Sequence, residues 1–131
     1  MNAHPTNILV VALGDAPIDL PDGNVLVVAP ALNSWLRRLA SDDGRARCLA
    51  DRRMHAYLEQ FELHGVRAEG RIGDSDPLLA IADALTTFPA DEILIAADEQ
   101  AVPRAQELAL RVRSRFSLPT SHARDPLPIA A

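Results

Sequence analysis

Polar side chains that could hold a ligand follow most of the apolar segments in this chain of 131 residues. In open α/β sheets, ligands bind beyond the carboxyl ends of the strands, where such side chains would gather. Carboxylate, hydroxyl and amide oxygens at that edge suit a small cation or a divalent metal ion. The candidate ligand-binding residues are Asp15, Asn33, Ser34, Asp74, Asp76 and Asp98. The interpretation that we prefer is structural, because acids near helix starts cap the helix and complement its dipole.

The other residues with reactive or metal-binding side chains show no arrangement that predicts catalysis. The four histidines lack metal-ligand spacing, and Ser75 lacks the Gly-x-Ser-x-Gly setting of a nucleophile elbow. Cys48 has no histidine at a suitable spacing, and we expect it to be a packed, inert thiol. The sequence therefore predicts no catalytic residue, no metal site and no cofactor.

Composition excludes several classes of partner. The net charge of −5 argues against nucleic acid, because neutralising phosphates requires a positive surface. The arginine clusters at 37–38, 52–53 and 111–115 are expected to be solvated helix faces. No apolar run approaches the ~20 residues that cross a bilayer, and the N-terminus lacks the pattern of a signal peptide. Because a single cysteine cannot form an internal disulfide, we expect a cytoplasmic location.

Strand and helix patterns alternate along the chain. Apolar or alternating segments predict five strands at 8–13, 25–29, 66–72, 92–97 and 119–123. Helical periodicity predicts a short helix at 35–39 and longer ones at 43–64, 77–88 and 103–116. Strands that alternate with long helices predict a mostly parallel sheet with helices on both faces. The fold class is therefore α/β, Rossmann-like, in one domain.

The long helices have one apolar face each and recognisable ends. Asp76 is placed to be an N-cap with Pro77 as the first helical residue, and Gly65 to be a left-handed C-terminal cap. The predicted inward positions are Ala50, Met54, Tyr57, Leu58 and Phe61 in the first long helix, Leu78, Ile81, Ala82, Leu85 and Phe88 in the second, and Ala105, Leu108, Ala109, Val112 and Phe116 in the third.

The connection between the first two strands carries no helical pattern. Residues 14–24 contain two prolines and two glycines. Parallel neighbours usually need a helical crossover, but eleven extended residues could span roughly 36 Å, and a six-residue strand is only about 20 Å long. The first strand could therefore be parallel, with a bare loop running back, or antiparallel; we expect it to be parallel.

Two stretches resemble the universal stress protein family. They are Gly73-Asp74-Ser75-Asp76-Pro77 followed by an Ile-containing helix, and Phe88-Pro89-Ala90-Asp91-Glu92 leading into an Ile-rich strand. The strand at 25–30, the long helix and Gly65-Val66 are similar to the family's second strand, second helix and third strand. The resemblance implies a five-stranded sheet in the order 3-2-1-4-5, frequent homodimers, a role in stress, and in many members ATP or AMP at the carboxyl ends of the strands.

The chain departs from that family at the nucleotide loop. Nucleotide-binding members carry Gly-x-x-Gly, nine residues and Gly-Ser/Thr after the fourth strand, whereas residues 96–103 here are Ala-Ala-Asp-Glu-Gln-Ala-Val-Pro and no glycine follows Gly73. A phosphate cradle needs inward backbone N–H groups, which glycine permits and proline removes. The family's first helix is also missing. ATP binding through the usual loop is therefore not expected.

These observations predict a non-catalytic binding or interaction domain over residues 1–123, with a loose tail at 124–131. We expect a homodimer, with the last strand or the short helix at Trp35 in the contact, although Trp35 could instead belong to the core. One alternative is a protein that binds ATP or AMP through atypical contacts. Another is an enzyme that uses a divalent cation at the aspartate edge.

Overall fold

Five parallel strands form a single sheet at the centre of the fold. A computed structural model describes residues 6–14, 18–19, 21–32, 43–98 and 101–123. The strands are β1 (Asn7–Ala12), β2 (Asn24–Pro30), β3 (Ala68–Gly73), β4 (Glu92–Ala96) and β5 (Thr120–Ala123). Their order is β3-β2-β1-β4-β5, and every neighbouring pair is parallel. The predicted fold class, strand order and direction of β1 are confirmed.

Three helices in the described part of the chain cover the two faces of the sheet. They are α1 (Asp43–Leu63), α2 (Pro77–Thr87) and α3 (Val102–Phe116). One face of the sheet packs against α1, and the other packs against α2 and α3. None of the described residues between β1 and β2 is helical, as the missing first helix predicts. The predicted short helix at 35–39 and the tail at 124–131 lie outside the described residues.

Helix α1 buries the face that its sequence predicts. Ala50, Met54, Tyr57 and Phe61 are buried against the sheet, and Leu58 is partly buried beside them. The helix ends at a left-handed residue, Gly65, whose φ is 75°. Gly65 N donates to Glu62 O at 3.1 Å and Val66 N donates to Phe61 O at 2.8 Å, the two hydrogen bonds of a Schellman cap. This cap turns the chain directly into β3.

In the connection between β1 and β2, the side chain of Ile18 packs on the sheet face that α1 also covers. Ile18 is 2% exposed and belongs to the apolar cluster under α1, which includes Val10 and Val27. Its carbonyl oxygen accepts a hydrogen bond of 2.8 Å from Nε2 of Gln60 on α1. Ile18 thus fixes the described part of the connection against the face of the sheet that α1 covers.

Helix α2 lies closer to the sheet than its largest apolar residues suggest. Its buried residues are Ala80, Ile81 and Ala84, whereas Leu78 and Leu85 are only partly buried. A Cβ added at Gly73 would lie 2.7 Å from Cβ of Ala80. Small residues on both sides let the helix approach β3, so Ala80 and Ala84 are buried in addition to the predicted Ile81. In α3 the predicted residues Ala105, Leu108, Ala109 and Val112 are buried, and Phe116 is partly buried.

Polar side chains hold three strands in register at the amino edge of the sheet. The backbone N of Asn7 donates to Oδ2 of Asp91 at 2.8 Å, and Nδ2 of Asn7 donates to the Pro89 carbonyl at 3.0 Å. Nδ2 of Asn24 donates to Oδ1 of Asn7 at 3.2 Å. The Ala-Asp pair before β4 therefore has a structural role, which is to fix the start of β4 against β1.

Candidate ligand site at the carboxyl edge

The carboxyl ends of β1 and β4 meet at the point where the sheet's connections change direction. Helix α1 lies on one face, and α2 and α3 lie on the other. Such a switch point leaves a crevice that binds ligands in open α/β folds. Here the crevice is bounded by Leu13 and Gly14 after β1 and by Ala97 and Asp98 after β4. Leu13 N donates to Ala96 O at 2.8 Å, so the two chain segments stay paired beyond the strands.

Asp98, which follows β4, lies close to Gly14, which follows β1. A Cβ added at Gly14 would lie 2.6 Å from the backbone N of Asp98 and 3.0 Å from its Oδ2. The absence of a side chain at Gly14 is therefore what lets Asp98 come so close. Oδ1 of Asp98 accepts a hydrogen bond of 3.1 Å from the backbone N of Ala101, and its carbonyl oxygen accepts one of 3.0 Å from the same group. The half-buried carboxylate is held in place by the turn that enters α3.

The backbone at the start of α3 is thus already hydrogen-bonded to a carboxylate of the same chain, that of Asp98. Helix N-termini attract anions because their first N–H groups lack partners and the helix dipole is positive there. Asp98 uses one of those N–H groups, and Pro103 has none to offer. A phosphate arriving at this end of α3 would meet the negative charge of the Asp98 carboxylate. Asp98 therefore weakens the attraction that this helix N-terminus would offer a phosphate.

Asp74 and Asp76 serve the turn between β3 and α2. Oδ1 of Asp74 accepts hydrogen bonds from the backbone N of Asp76 at 2.9 Å and from Oγ of Ser75 at 3.5 Å. Oδ1 of Asp76 accepts one of 3.0 Å from the backbone N of Leu78, and Asp76 is the N-cap of α2. Pro77 follows as the first helical residue. The preferred interpretation of these acids as helix caps agrees with this geometry.

The aspartates that were predicted to gather at the carboxyl edge do not lie together. Strands β3 and β4 are three positions apart in the sheet, which corresponds to roughly 14 Å. Asp74 and Asp76 therefore lie together after β3, and Asp98 lies apart from them after β4. In the described residues, no three His, Cys, Asp or Glu side chains come together as possible metal ligands. Asp15, Asn33 and Ser34 lie outside the described residues.

His55, His64 and Cys48 lie at the protein surface. Nδ1 of His55 and Nδ1 of His64 each lie 2.9 Å from a backbone carbonyl oxygen one turn earlier in the chain. His55 also lies 3.4 Å from the carboxylate of Asp51. Cys48 is exposed on α1, so the expectation of a packed thiol was wrong. It lies on the side of α1 that faces away from the sheet, opposite the buried Ala46 and Ala50.

A second concavity, which the sequence did not indicate, lies between α2 and α3. Its volume is about 290 Å³. It is lined by Leu32, Asp76, Pro77, Leu78, Arg104, Glu107, Leu108 and Arg111. The spacing of the charged residues at i, i+3 and i+7 in α3 is the one sequence signal that could have placed them on a common helix face. The sequence signal does not show that α2 forms the other side of the concavity, because the position of α2 beside α3 depends on the strand order.

Comparison with known proteins gives a structural relative and no sequence relative. No family model and no curated protein sequence matches the chain. Among solved structures, the fold is similar to a universal stress protein family protein from Arabidopsis thaliana with AMP bound. The two superpose with a TM-score of 0.57, covering 96% of this chain and 97% of the other. The chain has the fold of a universal stress protein. At 9% identity the likeness concerns the fold alone.

The described helices contain no segment that is both long and apolar enough to span a membrane. The longest of them, α1, is amphipathic and carries charged residues along its outer side. Its apolar face is already used against the sheet, through Tyr57 and Phe61 among others. The apolar surface of α1 therefore serves the core of the domain.

Proposed function

We propose that this chain is a binding or interaction domain with a universal stress protein fold that performs no catalysis. We further propose that it does not hold ATP through the glycine loop of the nucleotide-binding family members. The second statement is supported most directly by Asp98, whose carboxylate lies close to Gly14 after β1 and accepts a hydrogen bond from the backbone N of Ala101 at the start of α3.

Adenine nucleotide is the informative ligand for a test. A ligand at 100 times its dissociation constant would stabilise the fold by about 2.7 kcal/mol, which corresponds to a rise in melting temperature of roughly 10 °C for a domain of this size. We expect millimolar ATP or AMP to leave the melting temperature unchanged in differential scanning fluorimetry. The Arabidopsis protein whose structure contains AMP is the positive control, measured in the same buffer.

A second candidate function is adenine-nucleotide binding through atypical contacts, favoured by the AMP in that structural neighbour. A clear thermal shift with AMP would support it and would contradict our proposal. Replacing Asp98 with asparagine would then separate two explanations. The amide keeps the cap acceptor and removes the charge, so tighter binding in this variant would show that nucleotide does enter the crevice beside Gly14.

We also propose that the protein acts as a homodimer, which the family resemblance implies. The edge strand β5 has one side without a partner strand in the described sheet, and unpaired edges favour pairing between chains. Size-exclusion chromatography with light scattering should give twice the mass of 14.2 kDa. The Pro119 carbonyl faces β4, where it accepts from Ile93 N, so the backbone groups of His122 alternate to the open side of β5. A proline at His122 should therefore reduce the mass to that of one chain, because it removes a donor from the open edge. A monomer mass for the unaltered protein would exclude the homodimer.

A further inference from the structure

The cleft between α2 and α3 combines an apolar floor with side chains of both charges. Leu32, Pro77, Leu78 and Leu108 supply the apolar surface. Arg104 and Arg111 supply two positive charges, and Asp76 and Glu107 supply two negative ones. At about 290 Å³, the cleft is at the small end of ligand pockets, which run from roughly 300 to 1,000 Å³. It suits a compact molecule with an apolar body and little net charge.

The two arginines of the cleft differ from their neighbours in α3 in what they contact. Arg113 donates from Nε and Nη2 to the Thr120 carbonyl at 2.9 and 2.6 Å. The guanidinium of Arg115 lies 5.7 Å from the centre of the Phe116 ring. The side chains of Arg104 and Arg111 form no hydrogen bond or ion pair with any residue that the structure describes. Their donors are therefore available to a ligand, and a guanidinium is well suited to hold a carboxylate through two parallel hydrogen bonds.

Glu107 lies between these arginines on the same helix face. It is three residues from Arg104 and four from Arg111, a spacing that makes side chains neighbours, with Cβ atoms about 5–6 Å apart. Even so, no ion pair joins Glu107 to either arginine. Opposite charges this close to each other match a ligand that carries both a carboxylate and an ammonium group.

One carboxylate oxygen of Asp76 is already used as the N-cap of α2. Its Oδ1 accepts from the backbone N of Leu78, which leaves Oδ2 as the second acceptor that the cleft could offer an ammonium group. The carboxylates of Asp76 and Glu107 would therefore face the positive end of such a ligand, and the guanidinium groups would face its negative end. A ligand with only one charge would leave two like charges of the lining opposed to it.

We propose that this cleft binds a small zwitterionic amino-carboxylate with an apolar side chain, of the size and charge of an α-amino acid. The carboxylate binds Arg104 and Arg111, the ammonium group binds Glu107, and the side chain lies on Leu32, Leu78 and Leu108. The inference rests on the binding role proposed above and names a ligand class for it. Asp98 is not among the residues that line this cleft, so the cleft variants below test it independently of the Asp98→Asn variant.

Three probes with one aromatic body test the charge pattern. L-phenylalanine carries both charges, hydrocinnamate only the carboxylate, and phenethylamine only the ammonium group. We expect titration by calorimetry or by amide chemical shifts to show binding of phenylalanine, with each of the other two about tenfold weaker, as the loss of a charge-assisted contact implies. Arg111→Ala and Glu107→Gln should each weaken phenylalanine binding about tenfold as well.

Matched variants on the opposite face of the sheet provide the control. Arg52→Ala and Glu59→Gln alter exposed residues of α1, and binding should be unchanged. Because all four altered side chains are exposed, the melting temperature of each variant should match that of the unaltered protein. The proposal is overturned by an absence of phenylalanine binding at millimolar concentration. It is also overturned if hydrocinnamate binds as tightly as phenylalanine, or if the α3 variants bind like the α1 variants.

Discussion

Ile18→Asp is expected to lower the free energy of unfolding by at least about 4 kcal/mol. Truncating a buried isoleucine costs about 2–5 kcal/mol, and an unpaired carboxylate in the same place adds a desolvation cost. Ile18 is 2% exposed and packs between the sheet and α1. Since domains are stable by only about 5–15 kcal/mol, the variant should be close to unfolding. Urea denaturation followed by circular dichroism measures the loss.

The neighbouring residue provides the control for this prediction. Asp19 is exposed, so Asp19→Ala should change the free energy of unfolding by less than about 0.5 kcal/mol. Ile18→Val, which removes one methylene and keeps the apolar contact, should cost about 1 kcal/mol. If Ile18→Asp were as stable as Asp19→Ala, the β1–β2 connection would not be packed on the sheet.

The sequence predicted the sheet well because its strands carry strong local patterns. β1, β2 and β4 are buried on both faces, and their runs of Val, Ile, Leu and Ala have few other stable environments. The alternating pattern of residues 66–72 is typical of a half-covered strand, and β3 lies at an edge of the sheet. The parallel direction of β1 was harder to predict, because the connection to β2 carries no helical pattern. Its apolar residues, Ile18 among them, stand among prolines and glycines with no periodicity that marks them as core.

The inward face of α2 was predicted in part. The predicted residue Ile81 is fully buried, and the predicted Leu78 and Leu85 pack at the margin of the same cluster. The periodicity did not indicate Ala80 and Ala84, which are also buried, and the lack of a side chain at Gly73 leaves room for Ala80. How closely the helix approaches the sheet depends on the strand beneath it, and the helix's own periodicity does not contain that information.

The sequence predicted the local roles of single residues at the carboxyl edge, but it did not predict which of those residues lie close together. N-caps are local, so Asp76 could be assigned from Asp-Pro before an apolar helix. The separation of Asp74 from Asp98 follows from strand order, which the residue pattern alone does not give. The contact between Gly14 and Asp98 joins residues that are far apart in sequence. Its consequence is electrostatic: the chain places a carboxylate of its own at the helix start where a phosphate would otherwise be attracted.

Gly23→Ala should also be strongly destabilising, with an expected loss of about 4 kcal/mol. The φ of Gly23 is 145°, a conformation that residues with a side chain adopt only with about 1–3 kcal/mol of strain. An added Cβ would also collide with the carbonyl oxygen of Thr6, and relieving such overpacking costs about 1–3 kcal/mol more. That oxygen accepts a 2.8 Å hydrogen bond from Asn24 N at the start of β2, so it cannot move away without disturbing the register of β1 and β2.

A variant at Gly65 distinguishes the cost of the backbone conformation from the cost of the steric clash. Gly65 also has a positive φ, but a side chain there would not clash with a neighbouring atom. Its φ is 75°, and a Cβ there would meet nothing within 4 Å. Gly65→Ala should therefore cost only the left-handed conformation, about 1–2 kcal/mol. Thermal and urea unfolding of both variants give the comparison. A difference of less than about 1 kcal/mol between them would mean that the Thr6 carbonyl yields easily, and the close contact of Gly23 with Thr6 would then not fix how β2 begins beside β1.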